Sequence, residues 1–234
     1  MRFVFDQGLN MMSETMVDDF LNRVSGFLEK KDNINVAIAT GTTLQGFAIA
    51  LSNRNNVPYE RINVFVVDEY AGISAWDESS CTIDLIRGLR WNKFKSFNYF
   101  SSNDYKNEIG KLNKILNQQE LDIAVLGIGK DGHLAFCYPP YRLHENTYYV
   151  LRQFNYENKK THVHNGWFHS VSEVPNYAIT LSIWGILNCK AILIGAVYSE
   201  KHEIIDLLRT TDGLNMQIPA FYLQLHNDVT IHIG

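Results

Sequence analysis

Two titratable side chains, Asp131 and His133, stand one residue apart within Gly127-Ile-Gly-Lys-Asp-Gly-His. A carboxylate that close to an imidazole can orient the ring and decide which nitrogen carries the proton, which makes an acid–base group. Gly127, Gly129 and Gly132 around them let the backbone turn sharply and approach a ligand. A second acidic pair, Asp68-Glu69, ends an apolar run. A carboxylate held over a sheet edge suits proton abstraction from a carbon beside a carbonyl, and the competing reading makes both acids solvated loop residues. Thr40-Gly41-Thr42-Thr43 lies between an apolar run and a helical pattern. Backbone N–H groups at such a helix start, joined by hydroxyls, suit a phosphate, although the same stretch also reads as an ordinary N-cap turn. It is neither a GK[ST] loop nor GxGxxG. Lys201 opens a later helical segment and could reach an anion or simply face solvent. His162, His164 and His169 include an HxH spacing, but no carboxylate or cysteine at matching spacing accompanies them, so no metal site is expected. Trp167 and Trp184 read as packing residues rather than a platform for bases.

The elements that must position these groups follow from periodicity. Residues 13–30 place Met16, Val17, Phe20, Val24, Phe27 and Leu28 at helical spacing, with Ser13 as the expected N-cap. Asn35 to Ala39 reads as a buried strand, 44–51 as a helix and 62–67 as another buried strand ending at Asp68. Helix is expected at 80–89, a short extended piece at 96–100 and an amphipathic helix at 102–117. The run Ile123 to Leu126 is apolar without alternation, the pattern of a strand buried on both faces of a parallel sheet. Residues 137–172 show no periodicity and read as a long lid-like loop beside a site. A helix over 175–188, a strand over 191–197, a helix over 200–209 and a strand at 230–233 complete the alternation. The expected fold is α/β: a modified Rossmann-like, mostly parallel sheet with helices on both faces. Chemistry in such sheets gathers past the carboxyl ends of the strands.

The chain has 234 residues, 46% of them hydrophobic and 20% charged, with a formal net charge of −4. That length can bury a sizeable core, and one domain spanning 1–234 is expected because no linker or repeat divides the chain. The acidic balance without a basic stripe argues against nucleic acid. No run of some 18 apolar residues argues for a membrane span. Cys81, Cys137 and Cys189 are odd in number and lack CxxC spacing, as expected of reduced thiols in a cytoplasmic protein. No signal peptide is evident at the N-terminus.

Taken in order, several stretches resemble the glucosamine-6-phosphate deaminase (isomerase) family, which shares its fold with 6-phosphogluconolactonases. Ala39-Thr-Gly-Thr-Thr is similar to that family's PTGGTP, and Val67-Asp-Glu-Tyr-Ala-Gly to MDEYVG. Leu126-Gly-Ile-Gly-Lys-Asp-Gly-His-Leu-Ala-Phe is similar to GIGxDGHIAFNEP. Val174-Pro-Asn-Tyr-Ala, Ser199-Glu-Lys-His and Leu223-Gln-Leu-His match further pieces, so the resemblance covers nearly the whole chain. It implies an amino-sugar 6-phosphate as substrate, glucosamine or galactosamine 6-phosphate, with no metal or organic cofactor. Thr40, Gly41, Thr42, Thr43 and Lys201 would inherit the phosphate contacts. His133, oriented by Asp131, would open the ring, and Asp68 would move the C2 proton before ammonia leaves. Members occur as monomers and as closed oligomers, so a homo-oligomer stays open.

Two positions depart from the family pattern. Tyr138 stands where a glutamate completes a carboxylate–histidine–carboxylate arrangement, and a phenol does not accept a proton at neutral pH as a carboxylate does. Gly166 falls where the loop carries a phosphate-binding arginine, leaving Arg142, Arg152 or a loop histidine as substitutes. Glu69 and Tyr138 are therefore candidate modifiers of the site. A lactonase also uses a DGH histidine and lacks the glutamate, but it carries an arginine after the DE pair, where this chain has Tyr70. A third reading is a sugar-phosphate sensor without turnover.

Overall fold

The computed structural model describes residues 1–101, 104–211 and 213–234. The chain begins with β1 (Arg2–Phe5), α1 (Gly8–Leu28), β2 (Ile34–Ile38), α2 (Thr42–Asn53), β3 (Ile62–Val66), β4 (Asp68–Tyr70) and α3 (Cys81–Gly88). It continues through β5 (Ser96–Asn98), α4 (Tyr105–Gln119), β6 (Ile123–Gly127), β7 (Tyr149–Gln153) and α5 (Tyr156–His164). It ends with β8 (Tyr177–Leu181), α6 (Ile183–Leu187), β9 (Ala191–Ala196), α7 (Tyr198–Thr210) and β10 (Val229–Ile233).

Seven strands form one sheet in the order β1-β10-β9-β6-β2-β3-β5, every pair parallel. Residues of β2 and β9 are buried along their full lengths, so the centre of the sheet is covered on both faces, and β10 is equally buried although its Val229-Thr-Ile-His-Ile alternates. Four neighbouring strands point their carboxyl ends to one side. The Thr40 turn leaves β2, Asp68 follows β3, the Gly127–His133 segment leaves β6, and Lys201 follows β9.

A second, antiparallel sheet of order β4-β8-β7 was not expected. Val67 is the junction between the two sheets: its N–H donates to Ile38 of the large sheet, and its carbonyl accepts from Leu181 of the small one. Asp68 therefore begins a new strand at the seam. Residues 175–188 are not one helix but β8 and then α6, because Ala178-Ile-Thr-Leu pairs on both sides with β4 and β7. Cross-strand pairing overrides local periodicity there. Residues 137–172 are likewise not wholly irregular, since they contain β7 and α5. Asn155 caps α5 through a reciprocal capping box with Asn158.

Helix α1 starts at Gly8, five residues earlier than the periodicity suggests. Ser13 is consequently inside it, donating to the Leu9 carbonyl at 2.8 Å rather than capping. Ser102, where the amphipathic helix was expected to begin, lies outside the described residues. Cys81, Cys137 and Cys189 are unpaired and buried. Among the described residues no helix is long and apolar enough to cross a membrane.

Candidate active site

One cleft of about 1640 Å³ opens past the carboxyl ends of β2, β3, β6 and β9. Thr40, Gly41, Thr42, Thr43, Asp68, Asp131, His133 and Lys201 all line it. The topology thus gathers every catalytic and phosphate-binding candidate around one cleft, although their sequence positions span 162 residues from Thr40 to Lys201 when both ends are counted.

The first wall is the turn before α2. Gly41 adopts φ +110, a conformation L side chains rarely take, and lets the chain swing directly into the helix. Lys201 approaches from α7, where its own backbone departs from helical angles. Its Nζ donates to the Thr43 hydroxyl at 3.2 Å, and no carboxylate among the described residues pairs with it. Burial lowers its pKa below the usual lysine value. A half-buried ammonium with only a hydroxyl for company, beside a helix start, is arranged for an anion. Asp84 complicates that arrangement. Its carboxylate accepts from the Gly41 N–H at 3.4 Å and from the Gln45 amide at 2.8 Å, placing a negative group on the same turn.

The second wall is β4. Asp68 is buried, only 5% exposed, and lines the cleft. Burial and then the neighbouring Glu69 raise its pKa to about 7, so the carboxyl is poised to gain and lose a proton near neutrality. Glu69 is fully buried and turns the other way. It accepts from the Ser80 and Thr82 hydroxyls at 2.6 and 2.7 Å and from the Cys81 and Thr82 amides at 3.1 and 3.0 Å. It therefore caps α3 and ties that helix to β4.

The third wall is the glycine-rich segment after β6. His133 Nδ1 sits 2.6 Å from Asp131 Oδ1, whose pKa is lowered by bonding to the ring despite the opposing cost of burial. Its Nε2 is the nitrogen left for a ligand. Gly129 has no room for a side chain, because a Cβ there would overlap the His133 ring. Gly132 takes φ +79 and would meet Ile218 and Ile204. Gly127, by contrast, simply ends β6 with open space beside it. Ala135, also on the cleft, holds φ +51, a strained position for a residue with a Cβ.

Tyr138 does not line the cleft. Its ring lies 4.6 Å, centroid to centroid, from that of His133, and its hydroxyl meets His162 Nε2 at 3.1 Å. Neither Arg142 nor Arg152 reaches the cleft, and Arg152 is paired with Glu145 and bonded to Tyr141. The wall formed by α5 and the segment after it instead brings Lys160, His164 and His169 to the cleft, along with Trp167, which sequence reasoning assigned to packing. Gly166 takes φ +79. His162 and His164 do not converge: His164 faces the cleft, while His162 is fully buried and bonded through both ring nitrogens. No group of three or more His, Cys, Asp or Glu side chains among the described residues is placed to hold a metal ion.

The sequence pattern of the family described as glucosamine-6-phosphate isomerases/6-phosphogluconolactonase matches residues 8–231. The chain belongs to that family. A relative from Clostridium acetobutylicum, named glucosamine-6-phosphate deaminase, is 33% identical over 217 residues, covering 87% of this chain and 86% of its own. A relative of the same name from Clostridium novyi is 31% identical across a 243-residue alignment, covering 99% and 96%. Among solved structures, a monomeric glucosamine-6-phosphate deaminase superposes with a TM-score of 0.83 at 24% identity, over 100% of this chain and 97% of its own. The 6-phosphogluconolactonase of Thermotoga maritima superposes with a TM-score of 0.77 at 18% identity, over 99% and 98%. These likenesses establish the α/β fold, and they fit both halves of the family's description.

Proposed function

We propose that this member of the family is a deaminating aldose–ketose isomerase acting on an amino-sugar 6-phosphate, glucosamine 6-phosphate or galactosamine 6-phosphate. The observation that carries the reading is the placement of Asp68, a buried carboxyl with its pKa near 7, on the same cleft as the Asp131–His133 pair. Lactone hydrolysis has no need of a second base poised over a carbon acid. The naming of relatives above 30% identity as glucosamine-6-phosphate deaminases supports the same side of the family.

In this reading the Thr42 and Thr43 amides and hydroxyls, with Lys201, hold the 6-phosphate and so fix the sugar's position. His133 Nε2 takes the proton from the O1 hydroxyl and delivers it to O5 as the C1–O5 bond breaks and the C1 aldehyde forms. Asp131 keeps the imidazole in one tautomer throughout. Asp68, ionised, then removes the C2 proton, and the electron pair moves into the carbonyl to give an enolamine. The same carboxyl returns the proton to C1, leaving an imine at C2. Water adds to C2 and ammonia leaves, giving a ketose 6-phosphate. The substrate's own carbonyl takes up the electrons.

A lactonase reading draws on one observation, Tyr138 in place of a carboxylate beside His133. The test separates the two. Purified protein is supplied with glucosamine 6-phosphate, galactosamine 6-phosphate and 6-phosphogluconolactone, and ammonia release and lactone hydrolysis are followed. Ammonia from either amino sugar is expected. Lactone hydrolysis with no ammonia would overturn the proposal.

A further inference from the structure

The most deeply buried histidine of the chain takes no part in the scheme above. His162 is 0% exposed, on α5, with the rings of Phe154, Trp167 and Phe136 at centroid distances of 4.8, 5.3 and 5.4 Å. Burial pushes its pKa down to about 4, so the imidazole is neutral, with one N–H and one bare nitrogen. Both are used. Nδ1 meets the Tyr70 hydroxyl at 2.7 Å and Nε2 the Tyr138 hydroxyl at 3.1 Å. In either tautomer one phenol donates to the bare nitrogen and the ring N–H donates to the other phenol's oxygen.

The two phenols lead to opposite parts of the site. Tyr70 is the last residue of β4, the strand that begins with Asp68. Tyr138 lies against His133, the ring planes inclined at 44°. Among the described residues His133 Nδ1 is bonded only by Asp131, a side chain half exposed to solvent, so a single hydrogen bond sets the ring's tilt beside its packing on Gly129. The Tyr138 ring closes off one face. Burial raises the pKa of both phenols, and the chain Tyr70–His162–Tyr138 therefore bears no charge beside the Asp68 and Asp131 carboxyls.

We propose that His162 is a positioning residue: by fixing Tyr138 against His133 and tying both to Tyr70 of β4, it holds the imidazole in the orientation from which Nε2 serves ring opening. The inference rests on the deaminase reading for its kinetic consequence but not for its geometry. A histidine that merely fills the core would affect stability and leave turnover per folded molecule unchanged.

The test uses Tyr138→Phe, which keeps the ring and removes only the hydroxyl, and His162→Phe, which fills the aromatic surroundings. Each is expected to lower kcat for the amino-sugar phosphate by about ten- to a hundredfold with KM within about twofold. The double variant should be no slower than the worse single one, because both cut the same chain. Long-range ¹⁵N–¹H spectra of the unliganded protein supply a readout independent of substrate. His162 should stay neutral across roughly pH 5 to 8, and the His133 ring signals should shift or broaden in Tyr138→Phe. Unchanged His133 signals in Tyr138→Phe would overturn the inference whatever the activity. Wild-type protein that releases no ammonia would overturn the deaminase reading, and the spectra would still decide the positioning role. If His162→Phe does not fold, Tyr138→Phe alone carries both measurements.

Discussion

The side chains of Asp68 and Glu69 adjoin in sequence and differ completely in their bonding. Glu69 accepts five hydrogen bonds, one from the Tyr70 amide and four from the start of α3, while Asp68 accepts none from any described residue. Alternation along β4 sends one carboxyl into the protein and the other into the cleft. The buried partner fixes the strand, and the bare one is left to titrate near pH 7.

That environment predicts how Asp68 governs activity and stability. Asp68→Asn should lower ammonia release by about 10²- to 10⁴-fold, the usual worth of a positioned base. In the wild type, kcat/KM should rise with pH and level off above about 7, where the carboxylate form predominates. The folded-state pKa lies above the ordinary value of 3.8, so folding favours the protonated form. This residue's contribution to stability is therefore lost as pH rises from near 4 to near 7. Asp68→Asn should raise unfolding free energy at pH 8, by at most about 4 kcal/mol, and change little at pH 4. Urea titrations at the two pH values would reveal the difference, and equal effects at both would remove the burial argument.

Glu69 should behave in the opposite sense. Glu69→Ala strands buried donors at the start of α3, and a loss of about 3–5 kcal/mol is expected. Glu69→Gln keeps the shape but turns an amide N–H₂ towards the same donors, at a cost of about 2 kcal/mol. Denaturation midpoints would order the variants as wild type, Gln, Ala. A Glu69→Ala protein as stable as the wild type would show that α3 needs no such tie.

The large sheet was legible from composition, because the runs that form β2, β3, β6 and β9 are apolar without alternation and only a two-sided burial explains that. The candidates at their carboxyl ends followed from the same argument. The small sheet was hidden because Asp68-Glu69-Tyr70 is three residues long with two acids in it, a sequence with no strand signal of its own. His162 read as a loop histidine because its partners lie 92 and 24 residues away, at Tyr70 and Tyr138. Asp84 gave no signal at all, since an acid on a short helix is ordinary until the fold swings it onto Gly41. Of the substitutes that the resemblance suggests for a lid arginine at Gly166, Arg142 and Arg152 stay off the cleft, Arg152 being committed to Glu145, whereas the loop histidines His164 and His169 line it.

Gly129 offers a test of how tightly the imidazole is held. A methyl group there overlaps the His133 ring, while the glycine's own backbone needs no unusual φ. Gly129→Ala should therefore leave the fold intact and displace the ring, with kcat falling by about a hundredfold. Circular dichroism and thermal unfolding would verify the fold, and steady-state kinetics the loss. A fully active Gly129→Ala enzyme would mean that His133 moves freely, contrary to its contacts with Asp131 and Tyr138.

Asp84 and Lys201 should pull phosphate affinity in opposite directions. The Asp84 carboxylate occupies the Gly41 N–H that an incoming phosphate would use, and it repels a like charge. Asp84→Asn keeps the Gln45 side chain within bonding reach while removing that charge, so KM for the sugar phosphate should drop by about three- to tenfold. Lys201→Met removes the ammonium bonded to Thr43 at the turn and should weaken binding by about 1.5–3 kcal/mol, roughly ten- to a hundredfold. Inorganic phosphate, used as a competitive inhibitor, reports the same site without the sugar, so its inhibition constant should move with KM in both variants. An Asp84→Asn protein that binds inorganic phosphate no better than the wild type would place the phosphate elsewhere in the cleft, with Lys160, His164 and His169 as the side chains to examine next.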